Sequence, residues 1–438
     1  MKRSIIILSL VSLLAACSGR YGGYLTGIQD RPDWYQPDPY GMLFIPQGSF
    51  NMGTGDQDVA WAFTTQAKTV SVQAFYMDET EITNNEYRQF VYWVRDSIAR
   101  RICGENIDEE TYFITVDEYE QDLDPPRINW SAKLKWDEDD EQREALAEMY
   151  LPQHERFYQR KEIDTRKLNF EYYWIDLKEA ARRSNREQGM KDRSVFIKKD
   201  IINVYPDTLC WIHDFTYSYN EPQTNMYFWH PAYDHYPVVG VSWKQARAFS
   251  IWRTQLLNSY LMSNGESIVQ DFRMPTETEW EYASRGGLDL NPYPWGGPYI
   301  RNNFGCFLAN YKPLRGNYLD DGGILTLIVG HYPPNDYGLY DMAGNVAEWT
   351  RNAFDESAVN FMHDLNPDYY YEAKDTDPAA RKRKVVRGGS WTSIGWYLQN
   401  GTRTYEYQDT SKCYIGIRNV MTYLGRDKFD AGTGSNVY

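Results

Sequence analysis

Five cysteines and six histidines are the side chains of this 438-residue sequence that could carry soft-metal, redox or nucleophilic chemistry. The cysteines, Cys17, Cys103, Cys210, Cys306 and Cys413, are widely separated, and no Cys-x-x-Cys pair occurs. In an oxidising compartment the last four allow up to two disulfides in three alternative pairings, and buried thiols fit the same spacing equally well. The histidines are His154, His213, His230, His235, His331 and His363. No two stand four residues apart, the spacing at which one helix face presents a pair of metal ligands. Ser393 has no base beside it in sequence, so a nucleophilic hydrolase lacks a local signature.

Cys17 has a different setting. Lys2 and Arg3 precede an apolar run from Ile5 to Leu14 that is too short to cross about 30 Å of hydrocarbon. The run ends Leu14-Ala15-Ala16-Cys17, which resembles the bacterial lipobox, in which the cysteine is acylated and becomes the first mature residue. Residues 1–16 are therefore expected to be a lipoprotein signal peptide. Residues 17–40, bearing Gly and Pro with no apolar period, are expected to be a lipidated tether. No acidic residue stands directly after Cys17, where Ser18, Gly19 and Arg20 follow, and among bacterial lipoproteins this start implies the outer membrane, on its periplasmic face. Acyl chains on Cys17 would hold the protein to outer-membrane lipid.

The elements that must position any site are announced by local signals. Met42 to Gly53 reads as strand, turn and strand. Thr83 with Glu86, Ser242 with Gln245, and Thr276 with Glu279 each have the spacing of a capping box at a helix start. The first helix offers Tyr87, Phe90, Val91 and Val94 to a core. The second offers Ala246, Phe249, Leu256 and Leu257 with Arg253 interrupting the stripe. The third, with Trp280 and Ala283 inward, should stop at Gly286-Gly287, where a positive φ is tolerated.

Between these blocks, residues 96–227 read as a charged insertion with helical patterns near Glu138 to Tyr150 and Asp176 to Gln188. Its first part, Glu105 to Glu148, is mostly acidic, and its second, Arg156 to Lys199, is rich in Arg and Lys. Such a module could dock head to tail on a neighbour, or be a solvated surface with internal ion pairs. Ile201 to Ile212 reads as a β-hairpin turning at Pro206-Asp207. The basic run Arg381-Lys382-Arg383-Lys384 suits lipid phosphates or an acidic neighbour. A formal charge of −15 disfavours nucleic acid as a partner. The 42% hydrophobic and 16% aromatic content excludes a disordered chain.

Five blocks then occur in order: Met77-Asp78-Glu79-Thr80-Glu81-Ile82-Thr83-Asn84, Pro237-Val238-Val239-Gly240-Val241-Ser242-Trp243, Arg273 to Ala283, Gly338 to Trp349, and Arg387-Gly388-Gly389-Ser390-Trp391. Together they resemble the formylglycine-generating enzyme (sulfatase-modifying factor) family. The resemblance implies an α+β, C-type-lectin-like fold with low regular secondary structure, split by the insertion into parts at 41–95 and 228–424, with a tail at 425–438. That family's chemistry uses two cysteines shortly after the Arg-Gly-Gly-Ser block, where paired thiolates bind copper; the matching positions here are Ser393 and Leu398. Neither is a soft-metal ligand, so the resemblance implies a pseudoenzyme with no catalytic residues and no catalytic cofactor. The family's calcium sites map onto Asp341, Gly344, Val346 and Glu348, and, for a second site, onto Asn310, Tyr311, Asp321 and Gly323. Structural calcium is thus implied at oxygen ligands that suit a hard cation.

The lipobox, this core and the long charged insertion together resemble the GldK/PorK lipoproteins of Bacteroidota. That resemblance implies a non-catalytic role: self-association into a periplasmic ring with a GldN/PorN-type partner, in type IX secretion and gliding motility. A GldJ-like motility lipoprotein, a sulfatase-modifying enzyme and a glycan-binding lectin-like protein are the alternatives.

Overall fold

The computed structural model describes residues 34–54, 67–117, 119–187, 193–214, 222–313, 317, 319–320 and 322–425. Cys17 and the expected signal peptide lie outside them, as does Asp321. Asp38–Gly425 forms one compact unit; of the other, Met1–Pro37 with Arg426–Tyr438, only residues 34–37 are described. Among the described residues no helix is long and apolar enough to cross a membrane.

The strands β1 (Met42–Ile45), β2 (Gly48–Met52), β3 (Lys68–Val72) and β4 (Phe75–Asp78) open the unit. The first two are where the sequence puts them, but they do not pair with each other: β1 pairs with β4, and β2 with β3. Helix α1 (Asn84–Asn106) follows, capped at Thr83 by the reciprocal hydroxyl and carboxylate bonds of a full capping box. Tyr87, Phe90, Val91 and Val94 are all buried, as the stripe requires. The helix runs without a break through residue 96, so that sequence boundary falls inside an element.

Beyond α1 come the hairpin β5 (Phe113–Val116) with β6 (Asp122–Ile128), the short helix α2 (Asp140–Ala145), and the hairpin β7 (Asn169–Ile175) with β8 (Ile197–Asn203). The second helical pattern is two short helices, Leu177–Ala181 and Arg183–Glu187. The expected hairpin across Pro206-Asp207 is not formed. β8 turns back onto β7 instead, and Cys210–Asp214 is helical. Two physical reasons account for this. Ile202 faces the core beside Phe170 and Tyr172 of β7, and the Asp207 carboxylate accepts the Leu209 N–H at 3.0 Å, which starts a helical turn.

Helix α3 (Trp243–Ser263) starts on the Ser242 capping box. Its buried line runs through Ala246, Phe249 and Trp252, whereas Leu256 is exposed. Arg253 interrupts the stripe because its guanidinium pairs with Asp78 at 2.9 Å. The strand β9 (Phe272–Arg273) leads to α4 (Glu277–Arg285), which begins at the Thr276 capping box and ends at Gly286 with φ 60°.

The remaining strands are β10 (Ala347–Ala353), β11 (Arg383–Arg387), β12 (Thr404–Tyr407), β13 (Ile415–Gly416) and β14 (Val420–Thr422). They complete two four-stranded sheets, in the orders β1-β4-β14-β9 and β12-β11-β10-β13, antiparallel except for β10 with β13. The largest apolar cluster joins α1, α3 and the β7–β8 hairpin: Phe90 packs on Phe170, Phe249 and Trp252, and Tyr87 stacks on Phe249. Each such side chain stabilises by roughly 1.5–3 kcal/mol when fully buried. Leu168, Phe170, Tyr172 and Val204 therefore tie the β7–β8 hairpin and its flanks into the main core.

Of the four cysteines described, Cys103 is a buried thiol and Cys306 an exposed one. Cys210 and Cys413 are buried in one shared apolar cluster. The basic run at 381–384 is not wholly a surface feature. Lys384 is buried with its ammonium 3.9 Å from the centre of the Trp243 ring, donating to the Tyr371 carbonyl at 2.6 Å.

Candidate functional site

Two loops meet at the positions the sequence singles out. The first, Gly338 to Val346, leads into β10, whose second residue is Glu348, and the second, Gly388 to Leu398, leaves β11. They are laced by backbone bonds: Gly344 donates to Gly388 at 3.0 Å, Trp391 to Asn345 at 2.9 Å, and Asn345 to Asn310 at 2.9 Å. Close approach explains the glycine. A Cβ on Gly344, whose φ is +82°, would lie 2.3 Å from the Asn310 carbonyl oxygen. Asp341 and Asn345 also have left-handed φ, 56° and 55°, so residues 341–345 hold three residues in that region.

Ser393 is half-buried, and its hydroxyl accepts the Ser390 N–H at 3.1 Å and lies 3.2 Å from the Ser390 hydroxyl. Leu398 is fully buried in an apolar cluster with Tyr293, Ala309 and Ala343, against which Tyr311 packs. One position thus belongs to a hydroxyl network and the other to hydrocarbon.

The oxygen ligands mapped from the family sit in a buried electrostatic cluster that includes a residue the sequence reading did not single out. Glu81, just before α1, accepts the Val346 N–H at 3.0 Å and the Asn345 amide at 2.6 Å. Asp341 accepts the Gly330 N–H at 2.6 Å. Glu348 accepts the Trp280 indole N–H at 2.7 Å through one oxygen and the Arg418 guanidinium at 2.8 Å through the other. Arg418 also donates to the carbonyls of Asp78, Glu79 and Tyr340, so it ties the end of β4 to the loop before β10. Three buried carboxylates thus face one guanidinium. Burial, followed by the charges of Asp341 and Glu348, pushes the Glu81 carboxyl well above the usual range. Burial also raises Asp341, to about 6. Burial opposes the charge on Arg418, and Glu348 restores it.

This surplus of buried acid fits a bound cation by charge, and Asp341 with the carbonyls of Gly344 and Val346 supplies hard oxygens. Glu348 contributes charge, its two oxygens being engaged by Trp280 and Arg418. Among the described residues no three Asp, Glu, His or Cys side chains converge as a metal site. At the second mapped set, Asn310 is buried and its amide donates to the Leu325 carbonyl at 2.8 Å, while Tyr311 and Gly323 are half-buried nearby in sequence.

A second buried network lies on α4, and the sequence reading missed it too. Glu281 pairs with both Arg285, at 2.6 Å, and Arg387, while Glu277 holds Arg403 at 2.5 Å. A usable signal was present: Arg387 ends the apolar strand β11 and Arg418 stands among apolar residues between β13 and β14, where a charge survives only with a buried partner.

A model of the sulfatase-modifying factor enzyme 1-like domain matches residues 32–423. The inactive Cα-formylglycine-generating enzyme 2 of Bos taurus is 36% identical over 157 residues, which is 36% of this chain and 38% of that protein. The formylglycine-generating enzyme of Streptomyces coelicolor is 32% identical over 190 residues, 42% of this chain and 52% of that protein. The Bos taurus formylglycine-generating enzyme is 24% identical over 420 residues, 94% of this chain and 82% of that protein. The matches to the first two thus span only about two-fifths to a half of those relatives. Among solved structures, PvdO from Pseudomonas aeruginosa aligns with 16% identity and a TM-score of 0.45, over 90% of this chain and 99% of that one. A single domain model covering nearly the whole chain, together with the ordered blocks that build these loops, places the protein in the sulfatase-modifying factor enzyme 1-like family.

Proposed function

We propose that the chain is a non-catalytic scaffold: a structural outer-membrane lipoprotein of the GldK/PorK type, anchored through Cys17 and assembling into a periplasmic ring with a GldN/PorN-type partner for type IX secretion and gliding motility. The observation that carries the non-catalytic part is Leu398, a side chain without a ligand atom, sealed among Tyr293, Ala309 and Ala343 at a position where the family's copper chemistry needs a thiolate. Ser393, spent in bonds with Ser390, adds no soft ligand. Relatives named as inactive support this reading, and relatives named as enzymes make a direct assay necessary. The assembling part is supported by the charged insertion, which the core holds rigidly through Phe170 and Tyr172.

Its test is co-purification of the detergent-solubilised full chain with the GldN/PorN-type protein, sized by mass photometry. A ring-sized particle is expected; a strictly one-to-one pair at high concentration contradicts the assembly.

Calcium in this reading is structural. Asp341, Gly344 and Val346 would hold it beside Glu348, where it would balance buried acid and stiffen the turn. Excess chelator is then expected to lower the melting temperature, and calcium to restore it, because an ion that binds only the folded state adds to its stability. An unchanged melt in chelator, measured by scanning calorimetry, removes calcium from the account.

A further inference from the structure

One face of the sheet β1-β4-β14-β9 is core, and the other looks toward the start of the folded unit. Ile45, Phe75, Met77 and Val420 join an apolar cluster on the first face. On the second, the register sets Phe44, Tyr76, Met421 and Phe272 side by side across all four strands. Helix α3 lies over the far end of that row, where the Arg253 guanidinium stands 4.3 Å from the centre of the Phe272 ring. Arg253 also donates to the Tyr40 carbonyl at 3.3 Å, and the Tyr76 hydroxyl donates to the Asp38 carboxylate at 3.4 Å. Asp38 to Tyr40, the first residues of the unit, are thus pinned to this face.

Where this face meets solvent it is apolar. Tyr40 is 98% exposed and Phe44 45%. Leu256 and Tyr260 stand three and seven residues beyond Arg253, so all three share one side of α3, and they are 46% and 64% exposed. A lone exposed leucine carries no message, whereas apolar side chains gathered about one point do. Charge is missing as well. The chain is 24% charged, yet residues 254–265 hold no Asp, Glu, Lys, Arg or His. Arg253 is neutralised by Asp78 at 2.9 Å, and Asp38 and Glu266 stand at the border.

Resting on the reading of Cys17 as an acylated anchor, we infer that this face, with Tyr40, Phe44, Leu256 and Tyr260, sits in the headgroup layer of the membrane that holds the acyl chains. The anchor lies upstream of Asp38, so the face beside Asp38 is the one drawn toward lipid. Tyrosine suits that layer because its ring is apolar and its hydroxyl stays wet. A chain of formal charge −15 is repelled by an anionic leaflet over most of its surface, and a stretch without charge approaches at the least cost. Tethering raises the effective concentration, so contacts too weak to hold a free protein suffice to set its orientation. Being apolar, the contact does not weaken as salt rises.

The test reconstitutes the full chain, purified from membranes, into vesicles of phosphatidylethanolamine with a minority of phosphatidylglycerol. The exposed Cys306 is replaced by serine, and an environment-sensitive fluorophore is placed by Phe44→Cys, Leu256→Cys or Tyr260→Cys, one at a time. Leu365→Cys is the reference, at an exposed residue beside β3, whose Val70 and Val72 belong to the cluster on the sheet's other face. Lipids carrying a nitroxide near the headgroup are expected to quench the first three reporters and leave Leu365→Cys bright, at low and high salt alike. Adding Leu256→Asp with Tyr260→Asp is expected to drop quenching at Phe44→Cys to the Leu365→Cys level while acyl chains keep the protein on the vesicle. Both aspartates replace exposed side chains, and unchanged far-UV circular dichroism checks the fold. Quenching that is equal at all four positions, or that survives the two aspartates, overturns the assignment. Shielding of the reporters that grows with protein concentration in detergent, before lipid is added, assigns the face to a second copy and overturns it too. A mature chain whose mass lacks acyl groups on Cys17 discards the anchor reading and this face with it. An acylated chain whose three reporters stay bright discards this face alone.

Discussion

Replacing Arg418 with methionine is expected to cost about 3–5 kcal/mol of folding stability, the range seen when one partner of a buried ion pair is removed. The guanidinium is fully buried, neutralises Glu348 at 2.8 Å, and donates to the carbonyls of Asp78, Glu79 and Tyr340. Methionine takes a donor away from the carbonyls of Asp78 and Tyr340 and leaves the buried Glu348 carboxylate without its counter-charge. The loss should be partly recovered in the double variant Arg418→Met/Glu348→Leu, because the stranded charge is then gone. Urea denaturation of the two single variants and the double gives the coupling directly. Single-variant losses below about 1 kcal/mol would contradict the assignment of Arg418 as the pivot of this cluster.

The second large effect concerns pH. Burial is the main cause that lowers the Lys384 ammonium from its ordinary value to about 7; Glu372 opposes the shift, while Arg247 and Arg351 add to it. Below pH 7 the lysine is protonated in both folded and unfolded chains, and the cost of burying the charge is fully present. From about pH 7 upward the folded chain sheds the proton while the unfolded chain keeps it, so this group's contribution to stability rises with pH until the ordinary lysine range is reached. The slope cannot exceed about 1.4 kcal/mol per pH unit. Lys384→Met removes the titration, so the stability difference between the two proteins should move toward wild type by roughly 2–3 kcal/mol between pH 7 and pH 9. Denaturation curves of both proteins at pH 7, 8 and 9 measure it; parallel profiles would show that Lys384 keeps its charge among Trp243 and Tyr370.

What the sequence made legible was local. Thr83, Ser242 and Thr276 each fix a helix start through bonds made within three residues, and all three helices begin there. The positive φ at Gly286 is likewise a short-range requirement. Pairing was less legible, since β1 could have turned onto β2 but instead joins β4, and β8 returns to β7 across the residues between them. Those choices are made by which side chains share a core, as Ile202 does with Phe170. The mapped ligand positions Asp341 and Glu348 do lie in one buried cluster. The residues that complete it, Glu81 and Arg418, come from opposite ends of the chain, and no periodicity joins them. Leu256 shows the limit of a stripe read in isolation: it continues the line of Phe249 and Trp252 along α3, yet its side chain is exposed.

The most direct test of the central claim is a mass-spectrometric assay of the purified full chain, loaded with copper, on a peptide bearing a sulfatase-type cysteine. The prediction is no conversion of that cysteine to formylglycine above a copper-only control, because Leu398 and Ser393 offer no pair of thiolates. Turnover by the wild-type protein would contradict the account and return the chain to the enzymes of its family.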